Sequence, residues 1–410
     1  MDRDGRRLPR APRPPRVSIG PITREERAAR GVEAFTRLPA DMDVLVLFDD
    51  QYVHYYSGFV FTPTERPMAL VITREGERTL FVPRLELEHA QLLSDADRVV
   101  SYPEYPGERH PILLLLDFLE EAGLAGGVIG VDFDGYPPVM GYRPFPLSDH
   151  ARVRSVSALL DMQMAVKSPA ELELIRESIR WGDHAHRLLQ EYTRPGMREN
   201  EVVARACKEA TEAMNAELGT GDRAYNRWIS GALAIYRGQI GPASALPHAL
   251  ANNAMFEAGQ TLVTGAGADV FGYLSELERT MFIGEPSAEQ RRFFDHMMRM
   301  QDISFAAIRA GVLASSVDVA VRNYIDAENL WPHWRHHVGH SLGLRIHESP
   351  FLDIGDDTEL QAGMVFSIEP GLYVPGVGGF RHSDTILVTE DGCEVMTFYP
   401  RELEQLILPA

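Results

Sequence analysis

Between residues 168 and 400 the chain follows one plan twice. Ser168, with Pro169 and Glu171 behind it, has the chemistry of a helix N-cap closed by a capping box, and Ser287 with Gln290 repeats it. A long helix is predicted from each cap. The first runs to about Tyr192, ahead of Pro195-Gly196; the second reaches Ala310-Gly311. Each is followed by another helix, roughly Glu199–Leu218 closed by Gly219 in the first copy and about 315–329 in the second. The turns Arg194-Pro195-Gly196-Met197 and Arg309-Ala310-Gly311-Val312 fall at matching points. So do the strand entries Phe256-Glu257-Ala258-Gly259 and Leu360-Gln361-Ala362-Gly363. A glycine after a helix is common and one match would mean little. A series in the same order predicts a duplicated helix–helix–strand unit, packed about a pseudo-twofold axis with a cleft where the halves meet.

Polar groups interrupt the apolar strands of both copies. Trp331–Pro350 holds five of the fourteen histidines: His333, His336, His337, His340 and His347. Gly339 and Gly343 flank His340. In an unbroken strand His340 and His347 would face opposite sides, so a bend at Gly343 is needed if both serve one site. In the first copy, Glu276 and Glu278 are two apart and share a strand face. Carboxylates so placed repel unless a cation lies between them: a metal, an arginine or a substrate. Glu369 ends an apolar run before Pro370-Gly371, where burial demands a partner such as Arg381. Arg381, His382, Ser383 and Asp384 follow in one strand, and His248 stands after Pro247 ahead of the first copy's strand.

The 410 residues suffice for two or three domains, and 45% apolar with 24% charged residues is a globular balance. A formal charge of −19 argues against nucleic acid as partner. Two cysteines give no disulfide framework, which suits a cytoplasmic location. No apolar run is long enough to cross a membrane. Residues 1–22, rich in Arg and Pro, read as a flexible arm without the apolar core of a secretory signal. From 23 to 164, a helix over 24–40 and apolar runs at Val44–Phe48, MALVIT, RTLFVP and VIGVDF, with helical pieces at 84–95 and 110–122, predict a smaller α/β domain. Tyr52, Tyr55, Tyr56, Phe59 and Phe61 cluster around Gly58 and are candidates for a pocket wall. Residues 165–410 form the larger domain.

Taken together, Ala165-Val166-Lys167-Ser168-Pro169, Pro247-His248, GYLSELERT, VGHSLGLRIHESP, AGMVFSIEPGLY and GGFRHSDTILVTEDG resemble the "pita-bread" hydrolases of the M24 family: creatinase, prolidase, aminopeptidase P and methionine aminopeptidase. YYSGFVF and the strands after it are similar to the family's smaller domain. The resemblance implies an α/β fold with a pseudo-twofold C-terminal pita-bread domain and a creatinase-type N-terminal domain. It also implies a homodimer and hydrolysis of a C–N bond in a small nitrogenous molecule (an amide, a guanidino compound or a dipeptide).

The family's metallopeptidases hold two metal ions on two aspartates, a histidine and two glutamates. Carried over by position, these are Gly265, Glu276, His340, Glu369 and Ser383 here, so two of the five ligands are missing. The sequence also resembles creatinase, the branch that works without metal, through Glu278 in SELERT. It departs from creatinase at Phe351, near the place of that enzyme's carboxylate-binding arginine, and at Ser383, in place of its late histidine. The expectation is therefore a reaction without a metal cofactor. His248 would be general base and acid, His340, His347 and Glu369 the other catalytic groups, and Glu278, Tyr56, Phe61, Arg381 and His382 substrate contacts. The alternative is a metal-dependent Xaa-Pro peptidase with a single Mn, Zn, Co or Fe ion on Glu276, His340 and Glu369, completed by His382 or Asp384. A third reading is a pita-bread protein that binds without catalysis.

Overall fold

The structure is a computed structural model that describes residues 20–219 and 229–410; of the expected arm, residues 1–19 lie outside the described part. The helix Arg24–Arg37 opens on Thr23, whose side chain accepts the Glu26 N–H. A six-stranded mixed sheet follows. Its order is Arg98–Tyr102, Arg78–Pro83, Ala69–Thr73, Met42–Leu47, Val128–Val131 and Val153–Ser155. The four predicted apolar runs form the buried centre. The two outermost strands escaped prediction because they are half exposed and carry no alternating pattern. The aromatic cluster lies partly on the short helix Asp50–Ser57, capped by Asp49 and closed by Gly58 at φ 70°.

In the larger domain both capping boxes form as the spacing demands, Ser168 with Glu171 and Ser287 with Gln290. Their helices span Pro169–Tyr192 and Ala288–Ala307, and the companions span Glu199–Leu218 and Ala314–Ala327. The second long helix stops short of Ala310 because Ile308 turns to extended backbone and buries its side chain in the core. The strands of both copies join one sheet. Its path runs Glu348–Leu352, Gly339–Ser341, Val365–Ile368, Ser383–Val388, Leu277–Glu278, Gly265–Ala268, Ala232–Ile235. The copies meet mid-sheet, where Leu277 pairs with Asp384 and Glu278 with Ser383. Arg279 locks that seam. Fully buried, it donates to the carbonyls of Glu278, Ser383, Tyr399 and Pro400 and to the Asp384 carboxylate.

Close approach explains one glycine at the site: a Cβ on Gly339 would fall 2.1 Å from the Ser367 carbonyl oxygen on the neighbouring strand. The two domains are joined by ion pairs and by a hydroxyl–carboxylate hydrogen bond. Arg345 donates to Asp49 at 2.6 Å, Ser168 to Glu26 at 2.7 Å, and Arg30 lies 3.3 Å from Glu171.

Burial of neutral imidazoles makes the fold acid-sensitive. Burial, followed by arginine neighbours, pushes His54 and His186 down to about 3. The unfolded chain protonates them near 6.5 while the folded chain does not, so their contribution is intact above that pH and is lost as pH falls below it. Each is expected to cost up to about 1.4 kcal/mol per pH unit between roughly 6 and 3. Urea unfolding at pH 7.5 and 5.5 measures it, and His186→Gln should flatten the dependence.

Candidate metal centre

Three side chains converge in the cleft between the copies. Glu276 comes from the segment leading into Leu277–Glu278, His340 from the strand Gly339–Ser341, and Glu369 from the end of Val365–Ile368. Their ligand atoms lie within 4.8 Å of one another, the one such group among the described residues. His340 Nε2 is 3.3 Å from Glu276 Oε2 and 3.4 Å from Glu369 Oε1. These are ion-pair distances without hydrogen-bond alignment, for Nε2 and Glu276 Oε2 are both buried with no hydrogen-bond partner. His340 Nδ1 donates to the Ser341 carbonyl at 3.1 Å, which leaves the Nε2 lone pair facing the two carboxylates. Three buried electron-rich atoms cannot share such a space unless a proton or a cation lies among them.

The electrostatics agree. Burial opposes charge on all three groups, yet mutual attraction dominates. The carboxylates raise His340 well above the usual imidazole range, and His340 holds Glu276 and Glu369 below the usual carboxylate range. Asp384 and His382 do not complete the group. Asp384 is committed to Arg279 and Gln301, and His382 is buried with its ring edge-on to Phe294.

Beside the three donors, the place where the family's remaining ligands would stand is filled by an ion-pair cluster. Glu278, 1% exposed, accepts a bidentate pair from Arg381 Nε and Nη2, a bond from Arg237 Nη2 at 2.7 Å and one from Ser383 Oγ at 2.6 Å. Its Oε1 lies 3.6 Å from the point a Cβ on Gly265 would occupy. Glu278 was expected to grip a cationic substrate; with four donors already on its two oxygens it has no capacity left for one. Arg381 likewise is a partner of Glu278 and, at 3.9 Å, of Glu369. Arg381 Nη1 also donates to Tyr373 Oη at 2.7 Å, Tyr373 donates to His336 Nε2 at 2.8 Å, and His336 Nδ1 donates to the His337 carbonyl at 2.9 Å. This relay needs His336 neutral, and burial pushes it down to about 4.

Residues 343–347 bend as expected and bring His347 back over His340, the rings stacked at 3.8 Å and 20°. Gly343 leaves room for the Lys167–Glu348 ion pair, since its Cβ would lie 2.9 Å from Lys167 Cε and 3.0 Å from Glu348 Oε1. Of the other expected site residues, His248 is exposed on the turn after Gly241–Ala245 and makes no hydrogen bond or ion pair among the described residues. Tyr56 donates to Gln163 and Phe61 stacks on Phe59, both within the N-terminal core rather than at the cluster. Arg237, Arg345, Tyr373 and His336 were not singled out from sequence for any role here. Only contacts made in space mark them, and no local pattern does.

Residues 173–390 match the model of metallopeptidase family M24 and residues 39–143 that of the creatinase/prolidase N-terminal domain. An uncharacterized peptidase of Staphylococcus aureus (strain bovine RF122 / ET3-1) is 26% identical over 356 residues, 85% of this chain and 93% of that protein. Among solved structures, dipeptidase PepE from Mycobacterium ulcerans is 28% identical with a TM-score of 0.75, covering 95% of this chain and 100% of the other. Xaa-Pro dipeptidase from Bacillus anthracis is 25% identical with a TM-score of 0.74, covering 95% and 100%. The chain belongs to metallopeptidase family M24. Its fold is the pita-bread C-terminal domain with a creatinase-type N-terminal domain, and it is a hydrolase acting on peptide C–N bonds.

These findings correct the expectation of a reaction without a metal cofactor. Membership of a metallopeptidase family, and a Glu–His–Glu group in which His340 Nε2 and Glu276 Oε2 are buried without hydrogen-bond partners, both point the other way. The two missing ligands, Gly265 and Ser383, favoured the metal-free expectation over the single-ion alternative on Glu276, His340 and Glu369, and it is that trio which converges.

Proposed function

We propose that this chain is a small-peptide hydrolase of the dipeptidase or Xaa-Pro peptidase kind, built around one divalent ion on Glu276, His340 and Glu369. The observation that carries the reading is the meeting of three donors, Glu276 half-buried and His340 and Glu369 buried, two of them with unpartnered buried atoms, at the junction of the copies in a chain of this family. The names of the similar solved structures support the substrate class. When bound, a divalent ion supplies Lewis acidity for the amide carbonyl and for water. The chain's own residues do the rest. His340 is fixed in the tautomer that offers Nε2 by the Ser341 carbonyl. Burial, followed by nearby His340, lowers the His347 pKa and keeps that ring neutral at physiological pH. We assign proton transfer to His347: one ring nitrogen accepts the proton released from water and returns it to the leaving nitrogen. The Glu278–Arg381 pair places a fixed positive charge beside Glu369 where a second ion would otherwise be held. A guanidino substrate held by Glu278, as in creatinase, is disfavoured because that carboxylate is saturated. We also infer a homodimer from the family resemblance, which light scattering on the purified chain tests.

The central test is metal analysis of purified protein before and after chelation, with turnover of Xaa-Pro and Xaa-Leu dipeptides with and without added Mn²⁺. The expected result is one ion per chain, activity lost on chelation and regained on addition. Two ions per chain, or full activity after complete stripping, would overturn the reading.

A further inference from the structure

Among the described residues, no hydrogen bond or ion pair holds the His347 ring. The ring is exposed on one side and stacked on His340 on the other. A histidine that moves protons is ordinarily aimed by a third group bonded to its far nitrogen. Stacking fixes the plane of a ring and leaves its slide across the neighbouring face free. The aim of His347 therefore comes from the backbone that carries it.

That backbone is a tight bend gripped from two sides. Within it, the Gly343 N–H donates to the Arg345 carbonyl at 3.0 Å, and the Leu274 N–H donates to the Gly343 carbonyl at 2.8 Å. On the inner side, Glu348 Oε1 accepts the Arg345 N–H at 3.0 Å while Oε2 accepts Lys167 Nζ at 2.7 Å. The outer grip is the Arg345 side chain. Its Nη2 donates to Asp49 Oδ1 at 2.6 Å, its Nη1 lies 3.6 Å from Asp161 Oδ1, and its Cζ lies 4.9 Å from the centre of the Tyr52 ring. These partners are themselves fixed. Asp49 Oδ1 caps the helix Asp50–Ser57 by accepting the Gln51 N–H at 2.9 Å, and Tyr52 Oη donates to Asp161 Oδ1 at 2.5 Å. A planar guanidinium set between two carboxylates on an aromatic face is a stiff joint; a lysine there would keep the charge and lose the fork.

We propose that Arg345 is a positioning residue for His347: by bracing the bend against Asp49, Asp161 and Tyr52 it sets where that ring lies over His340. The inference rests on the assignment of proton transfer to His347 and names the group that aims it. Arg345 touches neither the three donors nor the reacting atoms, so it acts through His347 alone.

Carbon–proton spectra of the Zn²⁺-loaded chain labelled at histidine Cε1 read the stack without requiring turnover, because a proton over a neighbouring imidazole face is shifted upfield. The His347 resonance is identified by its loss in His347→Gln. Arg345→Gln is expected to move it toward the position of a free histidine, and Arg345→Lys to move it part of the way. Asp49→Asn, which keeps a helix-capping oxygen, should give a smaller shift in the same direction. In turnover of a dipeptide, Arg345→Gln should lower kcat about 10- to 100-fold and change KM less than about twofold, with the ion content per chain unchanged. Placed on top of His347→Gln, it should lower kcat no further, since the two side chains act as one unit. A His347 resonance that stays in place in all three variants, an undiminished kcat in Arg345→Gln, or losses that multiply in the double variant would overturn the proposal. If the wild-type chain cleaves no peptide yet Arg345→Gln unstacks the ring, the proton-transfer reading fails and the brace stands.

Discussion

Replacing His340 with alanine is expected to release the divalent ion and cut peptide turnover by about 10²- to 10³-fold, the scale of losing a principal electrostatic stabiliser. His340 is fully buried, is oriented by Ser341, and contributes the one neutral donor to a group whose other members are carboxylates. Without it, Glu276 and Glu369 lose the imidazole that lies between them and repel each other. Metal content per chain, read beside kcat, separates this from a purely structural defect. An alanine variant that retains a full equivalent of ion and loses only stability would remove His340 from the centre.

The second large effect belongs to Arg381. Arg381→Met strips both guanidinium hydrogen bonds from Glu278 and leaves a carboxylate, 1% exposed, with Arg237 and Ser383 alone. Breaking a buried pair from one side typically costs about 3–5 kcal/mol. The same physics predicts recovery. In the double variant Arg381→Met, Glu278→Leu the uncompensated charge is gone, and most of the lost stability should return, since apolar replacement of both partners is often near neutral. Chemical unfolding of the two single variants and the double gives the coupling directly. Additive losses would mean that the two side chains do not act as a pair.

Much of this architecture is legible in the residues themselves. Ser168 and Ser287 announce their helices because a cap hydroxyl and a glutamate or glutamine three positions later satisfy the same backbone groups wherever they occur. His340 and Glu369 stand out because a histidine beside glycine and a carboxylate ending an apolar run are costly unless used. The partner of Glu278 was not legible. Equal charge on Glu276 and Glu278 could not tell that one would face His340 while the other met Arg381 and Arg237, residues over a hundred and about forty positions away. The aromatic cluster misled for a related reason. A tyrosine lining a pocket and one buried against Gln163 have the same neighbours in sequence. The edge strands Arg98–Tyr102 and Val153–Ser155 lack a pattern because solvent covers part of each.

If His347 carries the proposed proton transfer, the bond between Arg345 and Asp49 gives the smaller domain a voice in it. Arg345 is two positions from His347, so the loop that presents the stacked imidazole is moored to a body that supplies none of the three donors. Any tilt of that body would be felt first at the second histidine and only afterwards at the ion's own ligands. Proton delivery could thus be tuned while the cation stays in place.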